Sequence, residues 1–373
     1  MNVPFYGHVR QYRSIQSEID ANIREVLESG EYVLGPTLER FEREFAAFSG
    51  ARHAIGVGNG TDAIWLALAA LGIGPGDECI TTANTFFATA QAIWIAGATA
   101  VFADTCPRTN NIDPALVEAA ITERTRAIVP VHLYGQCADM QAIRRIADRH
   151  GLFVVEDNAQ AVCAHGDGFR PGELGDAAAT SFITNKNLGT FGDGGMVTTN
   201  DEGLARRLRL LRNHGSERRG YHSFGFNSRL DDLHAAVLRA KLRHIEEWTV
   251  RRRALAARYT ARLENARRLT PPWEAPGYRH VFHLYVVETK QPELRDPLAA
   301  FLARRGVETK CHYPIPIHRQ EGFPWGKGAR IAGPLPHSER NAASCVSLPL
   351  FPELTDEEAD YAAAACLEWD GAV

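Results

Sequence analysis

Between residues 181 and 200 the chain places one lysine, Lys186, among polar residues and glycines, and a short apolar run reading as a strand follows. A lysine in a polar loop is ordinarily just solvated. Here glycines at 189, 192, 194 and 195 permit tight turns around whatever the amine reaches. Upstream, Phe153-Val154-Val155-Glu156-Asp157 is an apolar run ending in carboxylates. That is the pattern of a buried parallel strand with an acid at its C-terminal end. Ligands of open α/β sheets bind at that end. A lysine that condenses with a carbonyl, and an acid that holds a pyridinium nitrogen, are the groups that pyridoxal 5′-phosphate chemistry requires.

A phosphate needs its own cradle. Residues 54–57 read as a strand, Gly58-Asn59-Gly60-Thr61-Asp62 as a turn, and 63–71 as an apolar helix. Such a turn aims free N–H groups and the positive end of the helix dipole at one point. Thr61 or Asp62 also reads as the helix cap, and a cap position doubles as an anion site. The turn lacks Gly-Lys-Ser/Thr and is no triphosphate loop. Further on, Asn84-Thr85-Phe86-Phe87 joins a strand to a helix. From sequence alone an aromatic there reads as core.

The elements that must position these groups alternate. Strands are predicted at 99–104, 126–132, 152–156, 176–184 and 195–199, with helices at 114–121, 138–149 and 202–213 between them. Alternation of this kind means parallel βαβ units with right-handed crossovers. Two amphipathic helices precede them, at 15–28 and from Pro36 to 48, the second closed by Gly50. The apolar linker Glu31-Tyr32-Val33-Leu34-Gly35 reads as packing between those helices. A long helix is predicted from 230 through Trp248 towards Tyr259. The boundary is placed near 250, giving a large α/β domain at 1–250 and a small α+β domain at 251–373. The small domain has predicted strands at 281–287 and 306–311 and helices at 292–304 and 355–367. In it, His312-Tyr313-Pro314-Ile315-Pro316-Ile317-His318 is an ordered loop, either rigid surface or reaching a substrate.

Composition bounds the rest. Of 373 residues, 45% are apolar and 23% charged, which suits a soluble chain with a large core. A net charge of −4 without a basic block offers no footprint for nucleic acid. There is no signal pattern at the N-terminus and no run long enough to span a membrane. Seven scattered cysteines without a Cys-x-x-Cys pair lead us to expect reduced thiols and a cytoplasmic protein. Cys163-Ala164-His165 holds two potential ligands without partners, and no metal site is expected.

Three motifs in order, Asp157-Asn158-Ala159-Gln160, the run from Ser181 through Lys186-Asn187-Leu188-Gly189 to Gly195, and Gly225-Phe226-Asn227-Ser228-Arg229-Leu230-Asp231, resemble the DegT/DnrJ/EryC1/StrS family. These are pyridoxal-phosphate-dependent sugar aminotransferases of fold type I, and the resemblance spans nearly the whole chain. It implies a mostly parallel seven-stranded sheet flanked by helices, with a smaller C-terminal domain. It implies that Lys186 bonds the cofactor and moves protons, that Asp157 pairs with the ring nitrogen, and that Gln160 bonds the ring hydroxyl. Gly60, Thr61, Asp62 and Ser181 match phosphate ligands, and Phe86 matches an aromatic stacked on the ring, with Phe87 as its alternative. Asn227 matches a residue contributed by a neighbouring subunit, so a homodimer with a shared active site is implied. The 31–35 linker would then lie near that site and interface.

The opening of the chain and His132-Leu133-Tyr134-Gly135 look most like the branch that aminates the 3-keto position of dTDP-linked 6-deoxyhexoses, with L-glutamate as donor. Two departures leave the acceptor open to a 4-keto sugar or a keto-cyclitol. Ile183-Thr184-Asn185 replaces aromatic-Pro before the lysine, and Ala161-Val162-Cys163 stands where Ala-His-Gly is usual. Two other classes, a cofactor-dependent sugar dehydrase and a non-catalytic regulator, are disfavoured by Lys186, Asp157 and Gln160; the dehydrases carry histidine in place of the lysine.

Overall fold

The computed structural model describes residues 1–218, 220–323 and 328–372. Seven strands form the centre: β1 (His53–Val57), β2 (Glu78–Thr82), β3 (Thr99–Ala103), β4 (Thr125–Ile128), β5 (Phe153–Asp157), β6 (Ala177–Ser181) and β7 (Gly195–Thr199). Their order across the sheet is β1-β7-β6-β5-β4-β2-β3. The pairs from β6 through β3 are parallel, and only β7 runs against its neighbours β1 and β6. The expected seven strands gain an eighth, because Ala329–Ile331 pairs in parallel with β3, Ala329 opposite Ala100. Three part-exposed residues on an edge carry no alternating pattern, so nothing local announced this strand.

Helices cover the sheet for reasons written in their residues. In Gly60–Ala70 nearly every side chain from Ala63 onward is buried, and the helix packs against β6 and β7. A helix that is apolar all round belongs inside. Met140–His150 instead buries the stripe Met140, Ile143, Ile146 and Ala147, starts at the Asp139 cap and ends on Gly151 at φ 63°. Pro36–Ser49 buries Leu38, Phe41 and Phe45. Its first N–H groups are met by the buried Asp232, which accepts from Gly35, Thr37 and Leu38. A carboxylate there also complements the helix dipole.

Several expectations need correction. The long helix is two, Asp232–Leu242 and Ile245–Leu263, broken at Arg243-His244. His244 turns its ring onto Trp248 and bonds Glu18 at 2.9 Å. Residues 306–311 form no strand and make only the isolated bridges Val3–Val307 and Lys310–Ser347. The second sheet is antiparallel and consists of Leu269–Thr270, Tyr285–Thr289 and Cys345–Leu348. The 31–35 linker packs only in part: Leu34 lies against the helix core, while Tyr32 and Val33 are exposed. No helix among the described residues is long and apolar enough to cross a membrane.

Candidate active site

β1 and β6 both oppose β7, so β1 points the same way as the parallel strands. The C-terminal ends of β1, β2, β5 and β6 therefore share one edge. That edge carries the turn before Gly60, the segment reaching Phe86, Asp157, and Ser181 with the Lys186 loop.

Asp157 is buried. Its Oδ2 accepts from the Thr89 hydroxyl at 2.8 Å and its Oδ1 from the Ala159 N–H at 3.1 Å. Two donors of this kind fix the direction in which the carboxylate points. Burial of the Lys186 amine lowers its pKa from 10.5 to about 8, partly offset by the Asp157 carboxylate. An amine so placed is partly neutral near pH 7–8 and can act as nucleophile or base.

Gln160, also buried, accepts from the Tyr134 N–H at 2.6 Å and donates to the Tyr313 hydroxyl at 3.0 Å. Tyr313 comes from the proline-rich loop, which thus reaches the site rather than standing off as surface. Burial, then the Asp157 carboxylate, pushes its hydroxyl above the ordinary tyrosine range. The Phe86 ring lies 5.7 Å from the Tyr313 ring and keeps 56% of its surface exposed. Phe87 turns inward and meets Phe323 edge-on at 5.5 Å. The structure so separates the two phenylalanines: Phe86 offers an open face, and Phe87 is core.

At Gly60 a Cβ would stand 2.6 Å from the Ser181 Cβ, so glycine alone lets the turn and strand touch. Gly60 and Thr61 open their helix, and their N–H groups have no intrahelical acceptor. The cap is neither Thr61 nor Asp62: the Asn59 side chain accepts from the Asp62 N–H at 2.8 Å. The Asp62 carboxylate is engaged by Trp65 Nε1 at 2.9 Å and the Ser228 hydroxyl at 2.6 Å. Ser228 also accepts from the Gly58 N–H, which fastens the Asn227 loop to the turn of its own subunit. Asn227 itself is exposed.

Of the residues near Lys186, His312 belongs to the loop singled out in the sequence, whereas His283, Tyr6, His8 and Arg252 had no usable signal. His283 bonds Asn187 at 3.1 Å, and burial with the Lys186 cation holds its imidazole well below the ordinary range. His312, at about 4, is lowered by burial, Lys310 and Lys186. Tyr6, His8 and Arg252 line the cavity beside the lysine. A lone histidine in a strand-like run, or a tyrosine near the N-terminus, says nothing until the chain folds. The departures also find places. Asn185 donates to the Tyr6 hydroxyl at 3.3 Å. Cys163 adopts φ 72°, the left-handed conformation that glycine takes at little cost.

These residues fit pyridoxal 5′-phosphate. There is an anion cradle that a Cβ at Gly60 would fill, a buried carboxylate, a desolvated amine and an open aromatic face. The architecture is that of a fold-type I, pyridoxal-phosphate-dependent aminotransferase. Comparison with known proteins narrows it. The description "DegT/DnrJ/EryC1/StrS aminotransferase family" matches residues 13–366. The chain is 47% identical to a dTDP-3-amino-3,4,6-trideoxy-alpha-D-glucose transaminase of Streptomyces venezuelae, over 98% of this chain and 96% of that protein. It is 50% identical to a "Pleiotropic regulatory protein" of Geobacillus stearothermophilus, over 97% and 96%. The crystal structure of S. venezuelae DesV in complex with a ketimine intermediate matches with a TM-score of 0.96 at 47% identity, covering 100% of this chain and 99% of that one. The chain belongs to the DegT/DnrJ/EryC1/StrS aminotransferase family.

Proposed function

We propose that this aminotransferase moves the amino group of an L-amino acid, L-glutamate, to the 3-keto position of a dTDP-linked keto-6-deoxyhexose. The observation that carries the chemistry is the desolvated Lys186 amine held within the field of Asp157. The similarity to the Streptomyces transaminase supports the acceptor class.

Bound pyridoxal phosphate supplies a carbonyl for amine exchange and a ring that delocalises negative charge. The chain does the rest. Lys186 would hold the cofactor, and its desolvated amine would serve as the group that takes up and returns a proton beside the reacting carbon. Asp157, fixed by Thr89 and Ala159, would pair its charge with the ring nitrogen and favour its protonated form. Gln160 holds the ring hydroxyl and is itself oriented by Tyr134 and Tyr313. Gly60, Thr61 and Ser181 bind the phosphate, with Asp62 bracing the turn through Ser228. Phe86 would offer its open face to the ring. Asn227 reaches the phosphate of a second subunit, so the working unit is a homodimer. A junction near 250 is supported by the helix Ile245–Leu263: Ile245 and Trp248 join one core, and Leu255 to Leu263 another.

The test is purified protein with pyridoxal phosphate and glutamate, offered a panel of nucleotide-linked 3-keto and 4-keto sugars and keto-cyclitols. Amination of the dTDP-linked 3-keto sugar is expected, together with borohydride fixation of the cofactor on Lys186. Turnover confined to a keto-cyclitol would overturn the acceptor assignment, and fixation at another lysine would overturn the role of Lys186.

A further inference from the structure

Cys311 and Cys345 lie 34 residues apart in sequence, yet their sulfurs stand 3.3 Å from each other. Cys345 is fully buried at the start of the strand Cys345–Leu348, where it pairs with Glu288. Cys311 is part-exposed and sits beside the isolated bridge Lys310–Ser347. A disulfide needs the sulfurs at about 2.05 Å, a closure of little more than ~1 Å. We propose that Cys311 and Cys345 form a reversible disulfide whose closure shifts the Tyr313 loop and disturbs its hydrogen bond with Gln160.

The chemistry needs an external oxidant, a low-molecular-weight disulfide. The Cys311 thiolate attacks one of its sulfurs, forms a mixed disulfide and releases one thiolate. Cys345 then attacks the Cys311 sulfur as its proton passes to the departing small thiolate, which leaves as the second thiol. Two protein thiols are oxidised, and one small disulfide is reduced to two thiols. The order follows from access, since only Cys311 reaches solvent. It also follows from charge: the hydrogen bond with Cys345 and the Arg295 guanidinium hold the Cys311 thiol below its ordinary range, against burial. The same hydrogen bond, with burial, pushes Cys345 up, so Cys345 stays protonated while Cys311 reacts first, and its 3.3 Å separation from Cys311 is what lets it resolve the mixed disulfide.

The link to the site is short. Cys311 precedes His312, whose carbonyl accepts from the Tyr134 hydroxyl and whose Nδ1 lies 2.7 Å from the Ser347 hydroxyl. Tyr313 follows and takes the Gln160 hydrogen bond. Cys345 is anchored by its sheet, so closure moves the loop rather than the strand. Losing the Tyr313–Gln160 bond corresponds to a fall in turnover of about two- to tenfold.

The holoenzyme is incubated with oxidised glutathione at a series of redox ratios. Expected are an intact mass lower by two hydrogens, a proteolytic fragment joining Cys311 to Cys345, and a thiol count in denaturant falling from seven to five. Turnover falls alongside and is restored by dithiothreitol. Cys311→Ser should fold, keep its basal rate and become insensitive; Cys311→Ala serves equally if serine perturbs the loop. A glutathione adduct that stays on Cys311, or no linkage, overturns the pair. A linked fragment with unchanged turnover overturns the coupling to Tyr313. The linkage is read by mass, independently of which sugar the enzyme accepts.

Discussion

Replacing Lys186 by methionine should stabilise the cofactor-free protein at neutral pH, and the gain should vanish in alkali. The unfolded chain binds the lysine proton at pKa 10.5, whereas burial lowers the folded value to about 8. Between those values the unfolded state holds more protons, so wild-type stability rises with pH across that window. Below pH 8 the full penalty applies. Two and a half units at 1.36 kcal/mol each come to about 3 kcal/mol. Methionine keeps most of the aliphatic stem and carries no charge, so it removes the penalty without opening a large cavity. Urea unfolding of both apo-proteins, at one protein concentration, from pH 7 to pH 10.5 gives the difference curve. Taking the difference removes Lys241, whose amine burial also lowers to about 8. A stability gain independent of pH, or a loss at pH 7, would refute the idea that Lys186 is held against its preference for charge.

Three further outcomes are expected. Asp157→Asn should fold and retain cofactor yet lose ~10²–10³-fold in turnover, because a preorganised charge opposite the ring is gone; near-normal turnover would show that Asp157 was misassigned. Gly60→Ala drives a Cβ to within 2.6 Å of Ser181 and should cost ~1–3 kcal/mol of stability along with cofactor affinity, read by thermal unfolding and cofactor titration. Mixing Lys186→Ala with Asn227→Asp under conditions that exchange subunits should recover activity towards about a quarter of wild type, since random pairing gives about half mixed dimers, each with one intact site. No recovery would place Asn227 in its own subunit's site.

Residues bound to a periodic element were legible in the chain. The apolar run into Asp157 named its strand and its end, and Pro36 and Gly50 bracketed their helix. The glycine turn announced a helix start, although its cap is Asn59 rather than either residue chosen. What escaped were contacts between segments far apart in sequence. Thr89 reaches Asp157 across 68 positions and Tyr313 reaches Gln160 across 153. The edge strand Ala329–Ile331 depends on a partner more than two hundred residues earlier. Periodicity cannot report such pairings, because they exist only once the sheet has brought both ends to one edge. The predicted strand at 306–311 failed for the converse reason: its pattern suited a strand, but only Val307 and Lys310 found partners.

The loop at 227–228 joins these two kinds of information. Adjacent side chains in extended backbone point to opposite sides. Ser228 faces inward, bonded to Gly58 and Asp62 of its own turn. Asn227, which bridges to Asn213, therefore turns its side chain outward and is exposed. One residue secures the Gly58–Asp62 turn from within, and its neighbour leaves its amide exposed. On the Lys186 loop Phe191 and Ile183 are 43% and 42% exposed, with Phe191 packed on one side against Tyr12. A loop anchored to its own turn by Ser228 while presenting the Asn227 amide outward is the arrangement that the subunit-mixing experiment tests.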